Sequence, residues 1–255
     1  MRYMPNGFVF DVSGCSLFAD ESMIFQLLGF LNSKIASVYF GFLSPTVNYE
    51  VGNIKAMPFI RNKNSNIVFL VNQNMEISKI DWDSFETSWN FVKQPLICSC
   101  TTVKEAFRVW DNECNVRFNQ LKANEEELNR IFIDIYNLQY ELTPEVDDKD
   151  ITVRKANLQR DIKGLISYAI GCMFGRYSLD ADGLVYAGGE WDAYKYRNYP
   201  ADTDNIIPIC DDEYFSDDIV NRFVKFIETV YGAATLEENL KFIADVLGGN
   251  GTSRE

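Results

Sequence analysis

A group of amide, hydroxyl and amine side chains lies within a largely apolar stretch, between residues 27 and 58. Its members are Asn32, Ser33, Lys34, Thr46, Asn48, Tyr49 and Lys55. Amides and hydroxyls can hydrogen-bond base edges or phosphate oxygens, and lysine adds attraction to a phosphate backbone. If the chain contacts a nucleic acid, we therefore expect these residues to make the contact.

Two of these side chains also have a local structural role open to them. Asn32 can cap a helix or bond within it, and Asn48 can stabilise its own turn through the backbone. Both interpretations stay open from the sequence.

Most catalytic chemistries are excluded by residue type. The chain has no histidine, which excludes Ser-His-Asp and Cys-His activation and histidine-ligated metals. No glycine is followed by lysine, so the G-x-x-x-x-G-K-[ST] phosphate loop is missing. The six cysteines have no second pair at zinc-ligand spacing, and we expect reduced, mostly buried thiols. We therefore predict no catalytic residue and no metal ligand.

The charge of the chain is strongly negative and unevenly spread. The net charge is −13, and residues 111–150 and 201–255 carry most of the excess of carboxylates. Because affinity for DNA comes mainly from phosphate neutralisation by Lys and Arg, a chain this acidic should bind DNA poorly alone. Any DNA contact must come from the less acidic segments, 1–110 and 151–200.

The segments that carry these residues predict an α+β fold that is mainly helical. Residues 1–100 are predicted to be a small α/β region, with short strands at 8–10 and 68–71 and a helix over 24–42 that is capped by Asp20. For residues 77–91 we predict either a short helix or an irregular segment that packs against the core. Its aromatic residues Trp82, Phe85 and Trp89 are predicted to pack in the core, since large aromatics dominate cores energetically. The alternative is that they form a surface on which nucleic-acid bases stack.

A heptad pattern of apolar residues predicts a long antiparallel helical hairpin over residues 101–180, broken near Pro144. One position of the pattern is held by Phe107, Cys114, Leu121, Leu128, Ile135 and Leu142. The second helix is predicted over 151–174. Residues 181–255 are predicted to be a loop followed by two helices, around 217–231 and 236–247. The loop interleaves aromatics with basic residues, which is a weak nucleic-acid signal.

No run of about eighteen apolar residues is free of charge, and the N-terminus lacks the apolar core of a signal peptide. We therefore predict no membrane partner and a cytoplasmic location. Gly248, Gly249, Asn250 and Gly251 follow the last predicted helix, and no closing element comes after them, which is typical of a fragment.

Three blocks of sequence, in this order, resemble one known family. The first runs from Pro5 to Phe18 and continues through the helix to the motif T-x-N-Y-x-V-G-N-I-K-x-[ILM]-P at 46–58; the second is 81–89; the third is 167–180 with 205–209. Together they are similar to the PglX family, the adenine-specific DNA methyltransferases of BREX phage-defence systems. The first block resembles the end of the target-recognition region of adenine methyltransferases more generally.

The resemblance implies an upstream domain that binds S-adenosylmethionine and transfers a methyl group to N6 of a flipped adenine. The family's [ND]-P-P-[YF] signature is absent, since no two of the seven prolines are adjacent, and so is a glycine-rich cofactor loop. The resemblance therefore implies no catalytic residue and no cofactor in this chain. The implied partners are DNA, the upstream methyltransferase domain and other phage-defence proteins.

The alternative is an acidic protein-interaction module, either for a defence-complex partner or as a DNA mimic. Charge geometry separates the two hypotheses. DNA recognition needs a basic concave face built from Lys34, Lys55, Arg61 and Lys63, whereas a DNA mimic needs carboxylates spaced along the surface.

Overall fold

The computed structural model describes residues 1–11, 14–44, 50–62, 64–210 and 214–248, with the backbone alone for 21 and 22. These residues form eight α-helices and three short 3-10 turns. The helices are α1 (Glu21–Leu31), α2 (Lys34–Leu43), α3 (Val51–Lys55), α4 (Ser65–Asp83), α5 (Val103–Ile135), α6 (Leu158–Met173), α7 (Ile219–Tyr231) and α8 (Leu236–Leu247). The turns are Asp148–Asp150, Ala193–Lys195 and Ala233–Thr235.

The predicted α+β class, with its α/β recognition region, is wrong, because the part of the chain that the structure describes contains no strand. Residues 8–10 have no regular structure, and residues 68–71 lie inside α4. The sequence of α4 does not show the apolar periodicity of a helix, because the inward side of this helix carries polar residues. Asn74 receives a hydrogen bond from Asn124, and Asp81 pairs with Arg154. These partners are distant in sequence, so the local pattern alone favoured a strand.

The helix predicted over 24–42 is two helices, and the axes of its two parts differ by 68°. Asp20 caps α1 as predicted, by accepting the amide of Met23 at 2.8 Å. Ser33 then starts α2, since its extended backbone stops α1 and its hydroxyl donates to the carbonyl of Phe30 at 2.7 Å. Among the described residues, no single helix is long and apolar enough to cross a membrane, while this bent pair passes that test by length and composition only.

The long helix α5 ends at Ile135, well before Pro144, and α6 starts at Leu158, so the predicted extent of the helical hairpin is wrong. Asn137 has a left-handed backbone, with φ of 54°. The amide of Leu138 donates to the carbonyl of Ile133, and that of Asn137 donates to Asp134. This is the Schellman arrangement, in which a left-handed residue closes the last turn of a helix. Asn137, and not the proline, terminates α5.

One compact unit consists of residues 1–79 and 117–153. Its main core joins α1, α2 and α4 to the C-terminal part of α5, and a Cβ on Gly29 would lie 2.9 Å from Val71, so α1 and α4 pack closely here. Buried Asn129 accepts the amide of Lys34 at 2.9 Å and donates to the carbonyl of Pro144 at 3.1 Å. This one side chain therefore fixes both the start of α2 and the loop that follows α5.

The second unit consists of residues 80–116 and 154–255. Its core joins the N-terminal part of α5 to α6, α7 and α8, and the two last helices lie close to their predicted bounds. The buried carboxylate of Asp161 accepts hydrogen bonds from the Trp110 indole at 3.1 Å and from the amide of Asn157 at 2.9 Å. It also pairs with Arg160. Asp161 thus ties the start of α6 to α5.

Replacing Leu128 by alanine should lower the free energy of unfolding by about 2–5 kcal/mol, because Leu128 is buried in the α5 heptad face and its loss leaves a cavity. Urea denaturation measures the change. Val116→Ala, at an exposed position of the same helix, should cost less than about 0.5 kcal/mol. Equal costs for the two variants would contradict the packing described for α5.

Stability should fall as pH rises through the titration of Glu125. Burial, with a contribution from the Asp150 carboxylate, raises the pKa of Glu125 from 4.5 to about 7. The folded state therefore holds this proton more tightly than the unfolded chain, and the stability this confers is full below pH 4.5 and lost by about pH 7. Glu125→Gln removes the loss, so it should stabilise the protein more at pH 8 than at pH 5.

Thermal denaturation of the parent chain and of Glu125→Gln at the two pH values measures this difference. Glu76→Gln, at an exposed position of α4, is the matched control for the loss of one carboxylate. A stabilisation by Glu125→Gln of equal size at both pH values would contradict the assignment.

Candidate nucleic-acid interface

Asn32 and Ser33 lie at the junction of α1 and α2 and differ in exposure. The Asn32 side chain is exposed, and its amide nitrogen donates to the carbonyl of Leu28 at 2.9 Å. Ser33 is only 2% exposed, and its hydroxyl bonds the backbone at Phe30 and Ala36. The side-chain oxygen of Asn32 also accepts the N-terminal ammonium of Met1 at 2.5 Å, so both ends of this amide are hydrogen-bonded within the chain, and the hydroxyl of Ser33 is occupied as the cap of α2.

Lys34 is half-buried at the first position of α2, and its backbone is held by Asn129. Its charge acts on the carboxyl group of Glu145. A hydrogen bond from Thr143 lowers the pKa of the Glu145 carboxyl, and the charges of Lys34 and Arg130 lower it further. Part of the positive potential of Lys34 is therefore balanced by a carboxylate within this unit.

The loop that contains Thr46, Asn48 and Tyr49 lies outside the described residues from 45 to 49, but its two ends are described. Both are bound by the same side chain. Asn53 accepts the amide of Glu50 at 2.9 Å, at the start of α3, and donates to the carbonyl of Leu43 at 2.9 Å, at the end of α2. Asn53 therefore holds together the two points where the loop leaves and rejoins the helices.

The segment that follows α3, residues 58–62, is hydrogen-bonded to Tyr136 and to Gln26 of α1. The Tyr136 hydroxyl donates to the carbonyl of Pro58 and accepts the amide of Ile60 at 3.2 Å, and the amide of Asn62 donates to Gln26 at 3.3 Å. Lys55 and Arg61, which lie on either side of this anchored segment, are both exposed. Their cationic groups are available to a ligand while the backbone between them is fixed. Lys63 lies outside the described residues.

The structure thus brings Asn32, Ser33 and Lys34 to one helix junction and presents Lys55 and Arg61 from the α3 segment. The predicted basic concave face stays a prediction. Sequence reasoning missed Asn53 and Asn129, which position these groups. A signal for Asn53 existed: it stands three residues after Glu50, at the position that closes a capping box. Asn129 had no such signal, because its partners are far away in the chain.

Two kinds of site can be compared with the described residues: a metal site and the cofactor loop of a methyltransferase. The described residues hold no group of three or more Cys, Asp or Glu side chains that could ligate a metal ion. A cofactor loop of the methyltransferase kind follows a strand. The described part of this chain has no strand, so none of its residues is assigned to the cofactor.

No protein-family model matches this chain. Two curated relatives match it almost from end to end. It is 49% identical over 263 residues to the adenine-specific methyltransferase PglX of Lacticaseibacillus casei (strain Zhang), an alignment that covers 100% of this chain and 22% of the relative. It is 37% identical over 274 residues to the adenine-specific methyltransferase BrxX of Escherichia coli O9:H4 (strain HS), which covers 97% of this chain and 22% of the relative.

The resemblance to the PglX family is confirmed. The chain spans about a fifth of the length of the curated relatives it matches, 22% in each case. The likeness to PglX includes the stretch that carries Asn32, Asn53 and Lys55, since the alignment takes in the whole chain.

Asn53→Ala should release the two ends of the 44–49 loop, because both hydrogen bonds of the Asn53 side chain are lost. We expect a loss of stability of about 0.5–2 kcal/mol, the usual cost of a helix cap, and faster hydrogen exchange at the amide of Glu50. Exchange measured by mass spectrometry on a peptide that contains Glu50 is the test. Asn72→Ala is the control, because Asn72 is exposed and bonds only within α4. Unchanged exchange at Glu50 in Asn53→Ala would refute the clamp.

Proposed function

We propose that this chain contributes DNA recognition or scaffolding to a site-specific adenine-N6 DNA methyltransferase of a BREX or restriction-modification type phage-defence system. The observation that carries the proposal is the match to PglX and BrxX along nearly the whole chain. The sequence lacks the [ND]-P-P-[YF] signature, so methyl transfer falls to another part of such a protein.

In this proposal the partners are DNA and an upstream methyltransferase domain, with other phage-defence proteins as further candidates. S-adenosylmethionine supplies the methyl group in that domain and contacts no assigned residue of this chain. The residues of this chain bind and orient the DNA. Lys34, Lys55 and Arg61 neutralise phosphates, while Asn32, Thr46, Asn48 and Tyr49 contact base edges or phosphate oxygens. Ser33 acts through the cap that starts α2.

Two structural observations support this assignment of roles. Lys55 and Arg61 are exposed on a backbone segment that Tyr136 and Gln26 hold in place. Asn53 closes the ends of the intervening loop. Contact groups on a fixed backbone lose less conformational entropy on binding, which favours recognition of a defined surface.

An acidic interaction module is the second candidate, and the loop after α5 favours it. This loop carries exposed carboxylates at Glu141, Glu145, Asp147, Asp148 and Asp150. Spaced carboxylates of this kind can imitate a phosphate backbone or meet a basic partner protein. The experiment below separates the two candidates, because a DNA mimic would not itself gain affinity for DNA from Lys34 and Lys55.

The double variant Lys34→Ala/Lys55→Ala, made in the full-length protein, should bind a DNA duplex more weakly and with a flatter salt dependence. Each lost phosphate contact should reduce the slope of log K against log salt by about 0.9. Fluorescence anisotropy over a salt series measures both quantities.

The control is Lys104→Ala/Lys241→Ala, which removes the same charge from exposed positions of α5 and α8. Circular dichroism checks that the folds are intact. An affinity and a salt slope equal to those of the parent in Lys34→Ala/Lys55→Ala, with the fold intact, would remove the support for DNA recognition at these positions.

A further inference from the structure

Arg154 in the second unit is held in one orientation by three groups. Its backbone amide and its Nε both donate to the carboxylate of Asp81, each at 3.1 Å. Its guanidinium carbon lies 3.7 Å from the ring centre of Phe85 and 5.8 Å from that of Trp82. The Asp81 carboxylate is almost fully buried, while the Arg154 side chain is 32% exposed. The carboxylate therefore takes the inner edge of the guanidinium, and part of the group reaches the surface.

Arg160, on the first turn of α6, lies near the same aromatic ring. Its guanidinium carbon is 5.1 Å from the ring centre of Phe85, and its Nε donates to the buried carboxylate of Asp161 at 2.7 Å. One terminal nitrogen donates to the carbonyl of Lys155 at 3.1 Å. The side chain is 35% exposed. Phe85 is thus close to two arginines whose Nε groups are both fixed by buried aspartates.

The stretch that contains these arginines is basic in a chain that is otherwise acidic. Residues 154–176 carry Arg154, Lys155, Arg160, Lys163 and Arg176 against the single carboxylate of Asp161. Lys163 is exposed on α6, three residues after Arg160 and therefore on a neighbouring part of the same helix face. Trp82, which lies near Arg154, is 51% exposed. Cationic groups and an aromatic ring thus occur together at the surface of this unit.

The carboxylates of the adjoining turn are already engaged in hydrogen bonds. Asp83 accepts the hydroxyl of Ser88 at 2.6 Å, and Glu86 accepts that of Tyr177 at 3.4 Å. Asp81 and Asp161 balance the two arginines, and Asp83 and Glu86 keep their negative charges, so the attraction of this surface for phosphate comes from the exposed ammonium group of Lys163 and from oriented donors, and not from a net positive charge. The arginines add oriented donors and not net charge.

We propose that this surface, made of Trp82, Arg154, Arg160 and Lys163, is a second nucleic-acid contact that binds the phosphodiester backbone. When a carboxylate fixes the Nε of a guanidinium, the remaining N–H donors of that group keep one orientation. These donors can then bond phosphate oxygens, because the planar guanidinium fits the geometry of a phosphate. The exposed indole can stack on a sugar or an unpaired base at the edge of the contact. Because its contacts go to the backbone, the surface holds DNA in register without reading sequence.

This inference rests on the proposed DNA-recognition function, but it uses residues other than those around Lys34 and Lys55. The two can therefore fail separately. The aromatics at 82 and 85 have different roles in it: Phe85 is half-buried and packs against the core, whereas Trp82 is the exposed ring.

The test measures duplex affinity of the full-length protein by fluorescence anisotropy at low salt, for Lys163→Glu and for Trp82→Ala. We expect Lys163→Glu to weaken binding about three- to tenfold with a flatter salt dependence, and Trp82→Ala to weaken it about threefold. Arg154→Lys keeps the charge but loses the planar fork, and it should also weaken binding about threefold. Circular dichroism and thermal denaturation identify any variant that fails to fold; Lys163→Glu, at an exposed position, keeps the test decisive in that case.

Matched controls are Lys241→Glu, on an exposed position of α8, and Trp89→Ala, which removes a fully exposed indole outside this surface. If Lys163→Glu and Trp82→Ala bind duplex no more weakly than these controls, the inference is overturned. An acidic peptide of equal charge that binds as tightly as the duplex, and loses affinity in the same variants, would also overturn it in favour of a protein partner. Loss of affinity in Lys34→Ala/Lys55→Ala but not in Lys163→Glu would leave the proposed function standing without this second surface.

Discussion

The structure depends on buried polar side chains that find partners far away in the sequence. The carboxylate of Asp161 is the strongest case, because it is almost fully buried and accepts from Trp110, Asn157 and Arg160 at once. An unpaired buried carboxylate would cost several kcal/mol, on the order of 3–5 when one partner of a buried pair is removed. The helices of this unit are therefore constrained to an arrangement that satisfies Asp161.

The other unit obeys the same constraint with amides in place of a carboxylate. Asn124, which interrupts the apolar pattern of α5, donates to Gln73 and Asn74 on α4, each at 2.8 Å. Asn129 accepts the amide of Lys34 on α2 and donates to the carbonyl of Pro144. Apolar packing alone tolerates several helix registers, whereas each of these hydrogen bonds is satisfied in one. The buried amides of Asn124 and Asn129 thus select the register of the helices that pack against α5 in this unit.

This constraint also bears on the groups proposed to meet DNA. Asn129 holds Lys34, Asn53 holds the ends of the loop after α2, and Asp81 and Asp161 orient Arg154 and Arg160. In each case a side chain that has its own buried or bridging partner fixes the backbone or the inner edge of a group that reaches the surface. Such an arrangement lowers the entropy that the outer group loses on binding. Structural and recognition roles are therefore carried by neighbouring residues and not by the same ones.

The sequence alone determined the features that depend on near neighbours. Asp20 starts α1, the heptad residues Cys114, Leu121 and Leu128 are buried, and α7 and α8 lie where their apolar faces predict. The PglX resemblance was likewise readable from three blocks of residues. These signals are short spacings along one helix or motif residues read directly from the chain, and none of them depends on a contact between distant residues.

Only the tertiary structure decided that residues 65–83 form a helix, that the helical backbone breaks between α1 and α2 at Ser33, and where α5 ends. Asn74 and Asp81 look unsuited to the inward face of a helix until Asn124 and Arg154, 50 and 73 residues further along the chain, supply hydrogen bonds. Ser33 and Asn137 are compatible with a continuing helix by propensity, and packing selects the alternative backbone at each. The same holds for the candidate site. The residue types at 32–34 and 55 were evident, but the burial of Ser33 and the pairing of Arg154 with Asp81 follow from contacts that no local pattern encodes.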